Sequence, residues 1–317
     1  MDITYLLFLQ NFRNSIHDAW TPFLEGLSLF AVTYLVLLPA FIYWCVNKRK
    51  GLFTLAALNL CIAINAIIKL TACVYRPWIK DPRILPAGDA INTATGYSFP
   101  SGHTTTATPI YGGLAIGFWD NKKTKWLSVL CVLAILATGF SRNYLGVHTP
   151  QDVLVGLLLG IFSLWFVWKV FAYVDKHPEQ ENKLLLGGVI FAILAIVYIT
   201  YKPYHTDYVN GKLLVDPQRM MNDGYKDIGA FLAFCIARYV EKRWVKFQAP
   251  GFTVKGVILS VIGFLPLIWM IKSLFAPMID CLGPHWGRLA AQGCIVFYIV
   301  AFYPFILKCC GCKAKAK

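Results

Sequence analysis

Two histidines, two arginines, a lysine and an aspartate stand at the rims of apolar segments in three short stretches, residues 69–77, 100–103 and 141–152. These residue types can together hold a phosphoryl group and break its ester. Fixed cations and backbone N–H groups suit the oxygens, while a nucleophile and a proton donor are needed for the bond. Lys69 and Arg76 are seven residues apart, so on a continuous helix they share one face with Arg76 nearer the surface. Pro77 then ends that helix and leaves the Arg76 fork at the mouth, shaped for phosphate oxygens. A lysine two turns inside an apolar span either snorkels along the helix or faces a polar site.

Pro100-Ser101-Gly102-His103 reads as a helix start, with Ser101 at the N-cap. Such an end offers free N–H groups to an anion, Gly102 lets the anion approach the backbone, and His103 in the first turn can donate a proton. As a bland alternative the tetrapeptide is a cap with an incidental histidine. In the third stretch, Ser141-Arg142 leads to His148, and Thr149-Pro150 forms an N-cap and first helical residue. Asp152 then falls in the first turn. It can complete a capping box, or it can hold the His148 ring and free the other nitrogen for attack.

Taken together the three stretches match a spaced pattern of eleven fixed residues: Lys69, Arg76-Pro77, Pro100-Ser101-Gly102-His103, Ser141-Arg142, His148 and Asp152. In this the chain resembles the superfamily of type 2 phosphatidic acid phosphatases and vanadium haloperoxidases, over roughly residues 51–175. The resemblance implies that His148 is the nucleophile of a phosphohistidine intermediate, oriented by Asp152, and that His103 serves the leaving group and then water. It further implies that Lys69, Arg76, Ser101, the Gly102 amide and Arg142 hold the phosphoryl oxygens, with no metal or other cofactor. The soluble haloperoxidase branch does not fit a chain built for a bilayer.

The elements that must position these groups are helices. With 57% hydrophobic and 15% charged residues, the 317-residue chain is too apolar for an ordinary soluble domain. Nine windows, at 27–46, 51–75, 104–119, 126–140, 153–174, 184–201, 228–240, 254–274 and 289–307, approach the length of a membrane-spanning helix. The expected fold is therefore an all-α polytopic bundle of about nine spans, a single membrane domain over 23–317. Helices two to five would carry the phosphatase core, and further spans would fill 184–308.

The net charge of +14 invites a nucleic-acid reading until its distribution is examined. If the loops after the first, third, fifth and seventh helices and the tail share one side, that side holds eighteen Lys/Arg against five acids. The opposite side holds eleven of each, and Lys69 supplies the remaining charge. This is the positive-inside pattern, so the charge reports topology and excludes a nucleic-acid partner. It sets the N-terminus and the three motif stretches outside. The expected setting is a bacterial cytoplasmic membrane with an outward site, or an endoplasmic-reticulum membrane with a lumenal one.

Residues 1–22 show no cleavable-signal pattern and form an amphipathic segment that either lies at the interface or packs on the bundle. Tryptophans 20, 44, 78, 119, 126, 168, 244 and 286 fall near helix ends, as an aromatic belt would. Ten cysteines lack metal-ligand spacing; Cys281 and Cys294 could pair, and Cys309, Cys310 and Cys312 stand where acylation occurs. Lys313, Lys315 and Lys317 form a basic end or a retrieval tail. The polar stretch 202–226 reads as a solvated connection, or else as a lid or collar.

The leading functional expectation is an integral membrane phosphatase acting on a lipid phosphate monoester or a prenyl or lipid pyrophosphate at the outer face. Its partners would be that phosphorylated lipid and the surrounding bilayer. The motif block follows the second span and four spans lie beyond Asp152, an arrangement similar to the glucose-6-phosphatase branch. A sugar-phosphate phosphatase or a phosphotransferase with a non-water acceptor is thus the alternative. A non-enzymatic phosphate binder is disfavoured, because binding alone needs no nucleophile or acid.

Overall fold

The computed structural model describes residues 2–119, 121–209 and 211–311. Its helices are α1 (Asp2–Ser15), α2 (Thr21–Thr33), α3 (Leu38–Phe41), α4 (Lys48–Ala72), α5 (Pro77–Lys80), α6 (Ala90–Thr93) and α7 (Gly102–Trp119). There follow α8 (Lys125–Tyr144), α9 (Pro150–Lys176), α10 (Glu181–Tyr201), α11 (Pro217–Val240), α12 (Val254–Ser273), α13 (Phe275–Phe297) and α14 (Tyr303–Cys309). A two-residue hairpin, β1 (Tyr208–Val209) with β2 (Lys212–Leu213), is the sole sheet among the described residues. The Cys312 and Lys313–Lys317 expectations lie outside the described residues.

The nine apolar windows are helical over most of their length, the second only as far as Ala72. Seven helical stretches are long and apolar enough to cross a membrane, by length and composition. The other two windows lie in α7 and α11, which are long but carry threonines and, in α11, charges. Both owe their place to packing. The α7 helix is pressed against α9 where a Cβ on Gly160 would collide with the Thr108 side chain, and against α4 where one on Gly113 would collide with Thr54. The α4 helix, capped by Asn47 accepting from the Lys50 N–H at 2.9 Å, is buried along most of its length and packs on α7, α9 and α11.

The segment 202–226 is a solvated connection only in its first half, where residues 205–209 are exposed. Its second half belongs to α11, started by Asp216 capping the Gln218 N–H (2.9 Å), with Met220, Met221 and Tyr225 buried against α4 and α10. The chain bends at Gly283 (φ +78°), just before Pro284, inside α13. At the other end of the bundle Glu241 is fully buried. It accepts from Lys48 Nζ at 2.7 Å and the Phe247 N–H at 2.9 Å, and it pairs with Arg238.

Four expectations are corrected or resolved here. The helix bearing Lys69 ends at Ala72, because Cys73 takes up the left-handed conformation (φ +48°) and residues 73–76 leave the helix. Trp44 is not part of an interfacial belt: it is fully buried and donates to the Ile299 carbonyl at 2.8 Å. Cys281 and Cys294 are free thiols. The α1 helix packs on the bundle, through a buried Arg13 that donates to the carbonyls of Tyr144 (3.2 Å) and Leu85 (2.7 Å), while Phe8 stays exposed.

Candidate active site

The three motif stretches converge although they come from different elements. Lys69, Arg76, Gly102, His103 and His148 line one cavity of about 580 Å³. Arg76 reaches it from outside α4, as the N-cap residue of α5, with an extended backbone. Its guanidinium is buried and donates Nε to the Gly96 carbonyl (3.1 Å) and Nη2 to Thr95 (3.1 Å). Nη1 donates to the Val147 carbonyl at 3.0 Å and to His148 Nε2 at 2.9 Å.

That last contact fixes a tautomer. Arginine has donors and no acceptor, so His148 Nε2 must be unprotonated and its proton must sit on Nδ1. Nδ1 faces Asp152 Oδ2 at 3.3 Å. The same oxygen accepts the Thr149 N–H (2.9 Å) and the Ser98 hydroxyl (2.5 Å), while Thr149 Oγ1 accepts the Asp152 N–H at 3.4 Å. Capping and orienting, alternatives in the sequence, are thus done by one carboxylate oxygen. Burial, and after it the neighbouring Arg76 cation, hold the His148 imidazole well below its ordinary pKa. The ring therefore keeps Nε2 unprotonated, with its lone pair accepting the Arg76 N–H at the cavity wall.

His103, in the first turn of α7, is buried with Nε2 unpartnered. Arg142, on the last turn of α8, donates Nη1 to Ser28 Oγ at 3.0 Å and leaves Nε and Nη2 buried without acceptors. Buried donors without partners are costly, and an anion seated among them would satisfy them. Gly102 adds the open start of a helix, since a Cβ built there would meet nothing within 4 Å.

Two predicted phosphate ligands are engaged elsewhere. Ser101 caps α7 as expected, but its Oγ already accepts from Thr104 Oγ1 at 3.0 Å, and the Ser101 N–H donates to the Asp152 carbonyl at 2.9 Å. Lys69 does not snorkel. Its ammonium donates to the carbonyls of Tyr97 (3.1 Å), Ser98 (3.4 Å) and Pro100 (2.7 Å), gathering the loop that leads into α7. Sequence reasoning missed Ser98, two residues before the Pro100 block, and Asp227 of α11; Asp223 and Lys226, which line the same cavity as Asp227, lie in the stretch read as a solvated connection or else a lid or collar. Their i, i+3 and i, i+4 spacing on a polar helical face was the available signal. Among the described residues no cluster of His, Cys, Asp and Glu could hold a metal ion.

Comparison with known proteins agrees with this geometry. A model of the PAP2 superfamily matches residues 50–176. Phosphatidylglycerophosphatase B of Bacillus subtilis is 30% identical over 162 residues, 49% of this chain and 74% of that protein. A lipid A 4'-phosphatase of Porphyromonas gingivalis is 29% identical over 197 residues, covering 52% of this chain and 79% of its own. Lipid phosphate phosphatase delta of Arabidopsis thaliana is 24% identical over 240 residues, and the chain spans 57% of its length. No solved structure matches. The motif residues gathered around one anion-ready cavity, the family match across the helices that carry them and these relatives lead to one conclusion: the chain belongs to the PAP2 superfamily and is a membrane phosphatase.

Proposed function

We propose that the protein hydrolyses a lipid phosphate ester through a phosphohistidine intermediate formed on His148. The observation that carries this reading is the His148 ring, with its Nε2 lone pair free of a proton and its Nδ1–H turned to Asp152. Lipid as substrate rests on the relatives, whose names specify phosphatidylglycerophosphate, lipid A and lipid phosphates.

In the first step Nε2 attacks phosphorus, a P–N bond forms and the P–O bond to the leaving alcohol breaks. His103 gives its proton to the departing alkoxide, and the Nδ1 proton stays on the imidazole against Asp152. In the second step His103 takes a proton from water, whose oxygen attacks phosphorus as the P–N bond breaks and phosphate leaves. Arg76, the two orphaned Arg142 donors and the Gly102 amide stabilise the phosphoryl oxygens. Lys69 acts mainly by holding residues 97–100, and the Ser101 hydroxyl enters only if Thr104 releases it.

The charge asymmetry of the loops supports an outward-facing site. Rapid acid quench of the protein with radiolabelled phosphatidic acid should trap acid-labile label on the chain, absent in His148→Ala. Turnover in that variant at the wild-type rate would exclude the mechanism.

A further inference from the structure

A second cavity, of about 1020 Å³, lies at the other end of the bundle, and no described residue lines both it and the His148 cavity. Along α9 its walls begin at Phe162, ten residues and therefore about 15 Å past Asp152. The space arises because α9 and α10, joined only by residues 177–180, do not close on each other. The α9 helix packs on α4 and α7, while α10 packs on α11 and α4. The α10 helix meets α11 at Gly188, where a Cβ would strike Cys235 Sγ at 2.7 Å, but one on Gly187 would meet nothing within 4 Å. The slot is thus floored by α4 and α11 and opens outward between α9 and α10, where Phe162, Phe166 and Phe191 are exposed.

Its interior is apolar, with Leu52, Ala56 and Leu60 of α4 and Phe231 and Phe234 of α11 in the lining. Charged side chains are confined to one end, formed by the starts of α4 and α10 and the last turns of α9 and α11. The acids there are already taken. Asp175 accepts from Arg49 Nη1 at 2.6 Å, and Glu181 accepts from Arg238 Nε at 2.8 Å and pairs with Lys242 at 2.8 Å. Lys48 is paired with Glu241. Lys183, exposed at this mouth, has no partner among the described residues. An unpaired cation therefore stands over an apolar slot, at the end of the bundle that carries the basic loops. From Lys48 to Ile64 of α4 the slot spans sixteen residues, about 24 Å, close to one leaflet with its headgroups, half of a bilayer about 40–45 Å thick.

We infer that this slot is a binding site for an anionic phospholipid of the leaflet at the basic end, held as a resident and not as a substrate. An acyl chain fills the apolar cleft between α9 and α10, and the phosphodiester lies at Lys183. Charge selects the occupant: a headgroup of net negative charge neutralises Lys183, whereas a zwitterionic one brings its own cation to a mouth whose acids are already paired. The phosphate of this lipid sits at the opposite end of the bundle from His148 and takes no part in the reaction.

The test is native mass spectrometry of the full-length protein in detergent, after incubation with equal amounts of phosphatidylmethanol and phosphatidylcholine of the same chains. The first is an anionic diester with no ammonium group, the second its zwitterionic counterpart. The wild type should retain one phosphatidylmethanol in preference to phosphatidylcholine by about fivefold, the size of one lysine beside an anionic headgroup. Lys183→Glu, at an exposed position, should bring the two lipids to within about twofold of each other or reverse their order. Gly187→Trp, which fills the slot, should lower retention of both lipids by at least about fivefold, while phosphate release within about twofold of wild type shows that it has folded. Equal retention of the two lipids by the wild type, a preference unchanged in Lys183→Glu, or retention unchanged in Gly187→Trp would each overturn the inference. Should Gly187→Trp not fold, the Lys183→Glu comparison decides alone.

Discussion

The family-matched region, residues 50–176, and the helices after it face the same cavity, but they hold their charges differently. In the first region cations are clamped by backbone: Arg76 by the carbonyls of Thr95, Gly96 and Val147, Lys69 by those of Tyr97, Ser98 and Pro100. In the second region the cavity charges sit on one helix and pair with side chains, Lys226 with Asp227 and Asp223 with Arg288. Backbone clamps permit little adjustment, as a reaction centre requires. Side-chain pairs on α11 can exchange partners when a ligand arrives. The contrast divides a backbone-clamped wall, which carries the groups of the proposed chemistry, from a side-chain-paired wall on α11.

The sharpest way to break this division is His148→Ala, which should lower kcat by about 10⁴-fold or more in a phosphate-release assay. Asp152→Asn should cost about 10³-fold, because the amide can neither steady the Nδ1–H tautomer nor cap α9 as well. In the distal region Glu241→Ala should do something else. It removes the buried acceptor shared by Lys48, Arg238 and the Phe247 N–H, leaving Lys48 only the Phe247 carbonyl and Arg238 only Glu181, so unfolding should become easier by about 3 kcal/mol in a thermal or denaturant melt. The folded fraction should retain kcat within about twofold. A large loss of kcat there would erase the separation of the two regions.

Two smaller effects refine the picture. Ser98→Ala removes one of three donors on Asp152 Oδ2, and kcat should fall about tenfold with KM little changed. The pH profile of kcat/KM should be a bell whose acid limb lies below about pH 6.5, the ordinary histidine value. The sign follows from the environment of His148. Burial and Arg76 disfavour its protonated form, so the active neutral ring persists as pH falls, and activity is lost only below the depressed value. A limb at or above the ordinary value would mean that His148 sits in a solvated site.

Much of the site could be read in the sequence because its groups recur at fixed spacings within short stretches. Local chemistry such as the Thr149-Pro150 helix start also depends on neighbours alone. What escaped depends on distant partners. Nothing near Cys73 announces a left-handed residue, and the break there follows from the fit of Val74 to the Ser98 N–H (2.7 Å). Trp44 looks like a belt residue until α13 and the following turn cover it. Asp223 and Asp227 look like solvated charges until α11 is packed against α4. The helical windows were legible from apolarity, whereas α11 was underestimated because its first half is polar and faces a cavity rather than lipid.

One oxygen described above has a temporal meaning. Asp152 Oδ2 receives the Thr149 N–H that begins α9, the Ser98 hydroxyl of the loop before α7, and the Nδ1 side of His148. The reactive ring cannot be set until α9 has wound its first turn and that loop has arrived. Placement of the His148 ring and assembly of the helix start and loop around it are therefore coupled through one carboxylate oxygen.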